Sequence, residues 1–496
     1  MKKNNLFILL FILQNTYSYA QFNVFLYSPQ QTKSVGYNFL RRDSIKVSEL
    51  KFSNYIDDFR IDSTRNHLNI HFKETKESTH NGLFAVFHLD STKLLWQRNI
   101  NLQNQDFRLS NNFLVLSRKK KNYGINPNTG EELWEVDNPM AFTLYDLNVG
   151  ITFRKGALLK SIRQFYGIDL TSGKELWALD APELSGGIGT KRLYRDSTLI
   201  VMGKTLYGIN VRTGKTWSQP ISVSENCMNY SYSGTCHNTS NFLVDSTSFI
   251  LATSDRLVKM NFKGKEIWHQ YYDNNFKGSR FVLFRHKKYL YLLNLGYTFI
   301  GDEIYTKMGE PFIAKYDENG KKVYMKFIER HKFINNYLLD DNTLILIHKK
   351  KLTKINLDTD SLEMEKDLER KNVKEWYDFV GRVRYVLQKD STYKTIYQTD
   401  STKYYMMTDN GSISILNKNL DIVGDYEKGK YLTSVHYDKK RKWDFIANDK
   451  TLLIIDEKGR KISEIKDIEN LKVQDDVMFL ATSNTIFKVL LSNLNP

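Results

Sequence analysis

Apolar and polar positions alternate with a period of two over short runs along most of the chain, the pattern of strands with one buried face. The clearest case is Tyr166 to Asp180, Y-G-I-D-L-T-S-G-K-E-L-W-A-L-D. Tyr166, Ile168 and Leu170 alternate with Gly167 and Asp169. Thr171-Ser172-Gly173 then turns the chain, Gly173 supplying a positive φ and the hydroxyls bonding the loop's own backbone. Trp177 arrives on the return strand four residues after that Gly, placed to bury a large ring against a neighbouring unit. Nearly the same text occurs at Tyr123 to Asp137, with Gly130 and Trp134, and at Tyr207 to Trp217, with Gly214 and Trp217. Copies spaced by roughly 40 residues mark a repeat architecture.

Earlier in the chain, Phe22 to Tyr27, Ile45 to Phe52, Asp58 to Asp62 and His67 to Phe72 read as strands without the repeat. Phe84 to Trp96 is the first unit, with Thr92 where the turn Gly belongs and Trp96 in register. Leu257 to Trp268 follows the three central copies, with Gly264 and Trp268. Farther on the consensus decays. Phe312 to Tyr324 keeps Gly320 but replaces Trp by Tyr324; Leu352 to Met364 and Ile413 to Gly424 lose both markers; Leu452 to Ile465 keeps only Gly459. Nine units are visible in all. The intervals hold about two more strands each, such as Asn112 to Arg118, Leu199 to Met202 and Phe249 to Ala252. Four short strands per ~40 residues predict a propeller blade, a sheet that buries its faces by stacking on its neighbours. Trp376 and Trp443 lie between units and read as strand core.

The Trp-bearing hairpin resembles the repeat of the PQQ-like (quinoprotein-type) β-propeller family. The resemblance implies an all-β fold, a single closed propeller of four-stranded blades over residues 21–496, with eight blades as the family expectation. The nine visible units plus a closing blade allow as many as ten. Closure is expected from the N-terminus, Phe22 to Tyr27 pairing with Thr485 to Leu491 and removing an exposed edge. Period-2 patterning excludes a helical solenoid. Quinoprotein dehydrogenases of this fold carry an adjacent Cys-Cys pair beneath the quinone, whereas the two cysteines here, Cys227 and Cys236, are separated. The expectation is therefore a non-catalytic propeller without a cofactor. The resemblance extends to the propeller subunit of the outer-membrane β-barrel assembly machinery and implies an envelope or outer-membrane protein partner, although no lipidation Cys stands near the N-terminus. A carbohydrate-binding or carbohydrate-cleaving propeller, whose two acids need no sequence signature, and a PQQ-dependent dehydrogenase are the alternatives.

Composition supports β structure: 41% hydrophobic, 13% aromatic, Tyr at 30 and Phe at 29, with only 7 Pro, is a chain able to build a large packed core of strands. Lys2 and Lys3, the apolar run Leu6 to Leu13, and Ser18-Tyr19-Ala20 before Gln21 read as a cleaved signal peptide over residues 1–20, hence a periplasmic or secreted protein without a membrane span. In that oxidising setting a Cys227–Cys236 bridge closing a short excursion is plausible; a zinc site with His237 is the other reading. Net charge is +16, or +14 once Lys2 and Lys3 are removed. Such a surface favours acidic glycans, anionic head groups or acidic protein faces, and export argues against nucleic acid. The basic runs Arg118 to Lys121, Lys349 to Lys351 and Lys439 to Lys442 read as charged hairpin tips.

Candidate chemistry is sparse. His67 and His71 lie four apart in H-L-N-I-H and read as a solvated strand face before they read as metal ligands. Asp317-Glu318-Asn319-Gly320 resembles the start of a calcium loop but falls on an expected hairpin turn. Asp-Ser before Thr, Ile or Leu recurs at Ser44, Ser63, Ser91, Ser197, Ser246, Ser361, Ser391 and Ser401. It resembles a bacterial O-glycosylation sequon, and it equally suits turns in which Asp and Ser bond their own backbone.

Overall fold

The computed structural model describes residues 26–495 apart from connecting stretches, the longest being 155–163, 181–191, 221–239, 274–280 and 368–392. The signal segment, Phe22, Cys227, Cys236, Trp376, Ser391 and Ser401 lie outside the described residues. The fold is all-β and antiparallel, with helical turns as short as Tyr145–Leu147 and Leu491–Leu494. No helix among the described residues is long and apolar enough to cross a membrane.

Eight four-stranded sheets follow one another: 55–101, 108–137, 140–180, 192–220, 243–271, 281–327, 336–367 and 393–426, called sets 1 to 8. Set 6 carries an extra hairpin, Tyr297–Ile300 with Tyr305–Met308. A nine-stranded sheet holds two more four-stranded sets joined through one strand, β1 (Leu26–Asn38). Set 9 is 433–465; set 10 is 470–490 completed by β2 (Asp43–Phe52). The described residues thus contain ten four-stranded sets. Each of the nine units read from the sequence is the closing hairpin of one set, and the tenth is the composite of both chain ends; the family expectation of eight is too low for this sheet count.

The closing strand differs from the one expected. Thr485–Leu490 pairs with β2, from Ser48 opposite Lys488 to Lys51 opposite Thr485, and not with a strand beginning at Phe22. Leu26 instead opens β1, which lies along the outer side of β2. The physical reason is burial. β2 offers Ile45, Val47, Leu50 and Phe52 to the two neighbouring cores, whereas β1 is exposed through Thr32, Lys33 and Ser34.

The core sits between sets. Central strands are buried on both faces, as in Thr343–Ile347 and Ser248–Ala252, because each sheet is covered by two others. Along Thr343–Ile347 the alternation is direct: Leu344 and Leu346 pack towards set 6, Ile345 and Ile347 towards set 8. Every set shares an apolar cluster with the next. Phe479 and Ala481 of set 10 then pack on Phe72 and Leu83 of set 1, so the series returns to its start. In sets 2 and 3 the last strand is the exposed one, only the Trp of Glu132–Asp137 and of Glu175–Asp180 being buried, whereas the last strands of sets 9 and 10, which flank β1, carry buried residues such as Ile462, Ile465, Val47 and Leu50. The basic runs fall at the strand ends Arg118 and Lys121, before Lys351, and between Asp438 and Trp443, where hairpin tips were expected.

Candidate functional site

The residues singled out from the sequence assemble at the boundaries between sets. Each repeat turn is organised by the Asx residue that opens it: the Asp169 carboxylate accepts the Thr171 N–H at 2.7 Å while the Gly173 N–H reaches the Asp169 carbonyl at 2.7 Å. Asn126, Asn210, Asn261 and Asp317 do the same, so the Asp317 loop is a hairpin turn. The turn brings the glycine to φ +72 at Gly130, +69 at Gly173, +71 at Gly214 and +82 at Gly264. Thr92 holds φ +57 at the equivalent place, so its unit keeps the turn at the cost of a strained β-branched residue.

Three of the Trp rings lie between two glycines, whereas Trp96 and Trp268 stand opposite Val86 and Lys259 and meet a glycine on one side only. Trp134, Trp177 and Trp217 stand opposite Gly124, Gly167 and Gly208 of their own hairpins, where a Cβ would overlap the indole. On its other side the ring meets the turn glycine of the following set: Trp96 against Gly130, Trp134 against Gly173, Trp177 against Gly214, Trp217 against Gly264 and Trp268 against Gly320. The indole N–H then donates to a carbonyl of that turn, Trp96 to Pro127 at 2.9 Å, Trp134 to Leu170 at 2.6 Å, Trp177 to Val211 at 2.7 Å and Trp217 to Phe262 at 3.1 Å. A flat ring packs most closely on a residue without a side chain, which is why glycine recurs at the turn and, in three hairpins, opposite the Trp as well. Hairpins with four residues from Gly to Trp take up a one-residue bulge beside the Trp. Gly214 and Trp217 are three apart, and that hairpin runs without a bulge, so Trp217 still faces Gly208.

Where the consensus decays, other chemistry fills the slot. At the boundary of sets 6 and 7, Asp360 occupies the turn position with φ +54. Tyr324, in place of Trp, donates to the Asp360 carboxylate at 2.9 Å. Lys315, opposite Tyr324 where other hairpins have Gly, is buried and forms an ion pair at 2.7 Å with the half-buried Asp360. Tyr291 supplies the bond to the turn carbonyl, Leu357, at 2.9 Å, and a second to Asp360 at 3.0 Å. Burial, with the Asp360 carboxylate beside it, pushes the Tyr291 phenol up to about 12. Burial disfavours the Lys315 ammonium, but its bonds to Asp360 and Tyr291 outweigh that and raise its pKa. Tyr324 is marked in the sequence by its place in the repeat, but Lys315 and Tyr291 carry no sequence signature, because the cluster appears only when two sets are brought together.

The reading of His67 and His71 as a solvated face is overturned. Both are buried, since their strand, His67–Lys73, is covered on both sides. Leu68, Ile70 and Phe72 pack towards set 10, while His67, Asn69 and His71 share the opposite face with Phe84 and Val86. His67 Nδ1 and Asn69 Nδ2 have no hydrogen-bond partner there. Burial holds the His71 imidazole down at about 4, against the pull of Asp58 and Asp57. Among the described residues no group of three His, Cys, Asp or Glu is placed to hold a metal ion. The depressed His71 value carries a pH prediction. The unfolded chain binds this proton below about 6.5 and the folded chain only near 4, so stability is level above pH 6.5 and falls between 6.5 and 4, by up to about 1.4 kcal/mol per pH unit. Urea midpoints across that window should fall less steeply for His71→Gln than for the parent; equal slopes would refute it.

The Asp-Ser sites that are described sit at turns or strand starts: Ser44, Ser63, Ser91, Ser246 and Ser361 are exposed and Ser197 has φ +62. Asp62 accepts the Thr64 N–H at 3.1 Å, a turn bond of the kind expected of Asp, and Asp245 accepts the Ser248 hydroxyl at 3.3 Å.

Comparison with known proteins follows the same lines. Residues 80–282, about two fifths of the chain, match the family model described as outer membrane protein assembly factor BamB. No curated protein matches the chain. Among solved structures, BamB from Moraxella catarrhalis is similar at 11% identity and a TM-score of 0.39, covering 78% of this chain and 97% of that one. A europium-containing methanol dehydrogenase is similar at 10% identity and a TM-score of 0.35, covering 70% and 81%. AztD from Citrobacter koseri is similar at 12% identity and a TM-score of 0.35, covering 73% and 94%. The matched residues contain Trp96, Trp134, Trp177, Trp217 and Trp268 with their glycine seats, so the match to a PQQ-like repeat model falls on the repeat-bearing stretch of the chain.

Proposed function

We propose that the protein is an exported, closed, ten-bladed propeller that acts as a non-catalytic protein-interaction scaffold in the cell envelope. The observation that carries this reading is the return of the sheet series to its start: set 10 takes its last strand from β2 and packs on set 1. A disc closed in this way holds its connecting loops at fixed positions on two faces, which suits binding more than it suits any one reaction. The BamB description of the matching family model supports an envelope setting and an outer-membrane assembly partner. The scarcity of convergent catalytic groups in the sequence supports a binding role over an enzymatic one.

The test is chemical crosslinking in intact cells followed by purification of the native protein from the envelope fraction. A defined envelope protein should be recovered at near-stoichiometric yield. Recovery of no partner, or dye reduction by the purified protein after reconstitution with quinone and calcium, would overturn the scaffold reading. Two-dimensional class averages from electron microscopy test the ring separately, and an open arc would remove it.

A further inference from the structure

A cleft of about 680 Å³ opens where β1 leaves set 9. On one side β1 pairs with β2 from Gln31 to Asn38, through a register shift at Gly36. On the other it meets Lys461–Ile465 only at Tyr37 and Asn38, with the Phe39 N–H donating to the Ile462 carbonyl at 2.8 Å. Gly36 marks the point where the strands part. Its φ is +63, and a Cβ there would overlap the Glu464 carbonyl oxygen and come within 2.8 Å of Ile465 Cγ1. Beyond it, towards Lys33, no described strand covers that side of β1. The wedge between the strands is lined by Lys33, Val35, Tyr37, Phe39, Lys466 and Phe487.

We propose that this wedge binds an acidic peptide in extended conformation, added as a strand along the open side of β1. It deepens the scaffold reading by naming a class of partner, and it rests on that reading for its role in the cell. An uncovered strand edge presents backbone donors and acceptors at the spacing an extended chain matches, which accounts for the conformation. Tyr37 and Phe39, in edge-to-face contact at 5.1 Å and both exposed, supply an aromatic wall for alternate side chains. Charge accounts for the acidic preference. Lys33 is 53% exposed, 3.5 Å from Glu49 and over the Phe487 ring at 5.7 Å from its centroid; Lys466 is 74% exposed and 3.9 Å from Glu464. The Glu464 carboxylate is already engaged by Lys461, which holds its pKa down. Asp467 also lines the cleft, so the preference rests on Lys33 and Lys466 acting together.

The experiment uses the purified protein and a fluorescein-labelled twelve-residue peptide of alternating valine and glutamate, with a version carrying lysine for glutamate and one interrupted by two prolines. The acidic peptide should bind at least tenfold more tightly than either control. Lys33→Glu with Lys466→Glu should reverse the charge preference, and Tyr37→Ala should weaken binding several-fold. Hydrogen exchange of the bound protein should slow at least tenfold at amides within residues 33–36. Binding that ignores peptide charge, protection confined to other strands, or no binding by any peptide would overturn the proposal. An unchanged ring in the class averages would then show that the peptide site had failed while the propeller stood.

Discussion

Trp177→Ala is expected to destabilise the protein by about 4 kcal/mol, the largest effect of any single side chain in the repeat. The substitution empties a slot in which the ring is buried between sets 3 and 4, seated on Gly167 and Gly214, and bonded to the Val211 carbonyl. It therefore removes apolar contact from both sheets and orphans an acceptor at the same time. Gly214→Ala attacks the same slot from the opposite side: a Cβ would stand 2.8 Å from Trp177 Cγ on a residue with φ +71, and a loss of about 2 kcal/mol follows from strain alone. Leu176→Ser serves as the control, since Leu176 is 44% exposed on the same strand. Its change should stay within about 0.5 kcal/mol. Urea unfolding of the three variants orders them, and a Trp177→Ala loss no greater than that of Leu176→Ser would mean that the sets are held together by something other than the docked rings.

The second large effect runs against the repeat consensus. Asp360→Gly restores the residue that most turns of this chain use and relieves a positive φ, yet it is expected to cost about 3 kcal/mol because Lys315 would be left as a buried cation without its carboxylate. Tyr291 and Tyr324 would lose an acceptor together. Adding Lys315→Met removes the stranded charge, and most of the loss should return in the double variant. Comparing the two by chemical denaturation isolates the ion pair. If Asp360→Gly alone is neutral or stabilising, the cluster contributes nothing and the turn conformation is all that matters.

These two slots mark how far the fold can be read from the chain. Around Trp177 every requirement is local and repeated: the alternation of Tyr166, Ile168 and Leu170, the Asx residue before the turn, the glycine of positive φ and the Trp. Copying makes such features visible, so the all-β class and nine hairpins could be recognised. At Asp360 the same mechanical task is performed by Lys315, Tyr291 and Tyr324, drawn from three strands of the neighbouring set, and nothing in their spacing ties them together. His67 and His71 misled for a related reason. Polar residues alternating with Leu68 and Ile70 imitate a half-exposed strand, but a second strand stacked between two sheets has no wet face, and period-2 polarity there records which sheet each side chain meets. The closing strand was misplaced because strand-like character alone cannot say which of two adjacent segments, β1 or β2, carries the core. The wedge beside Gly36 could not be seen at all, since it arises from the divergence of segments more than 400 residues apart.

The pairing of β2 with Thr485–Leu490 also sets an order of events. Asn484 donates to the Phe52 carbonyl across a sequence separation of 432, so one side of β2 stays without its native neighbour until all the intervening residues have been made. Bringing such distant segments together is entropically slow, and an apolar strand waiting that long invites pairing with the wrong chain. Assembly of this molecule is thus a process that β2 begins and only Thr485–Leu490 can complete, and removal of residues 485–496 should harm it out of all proportion to their number.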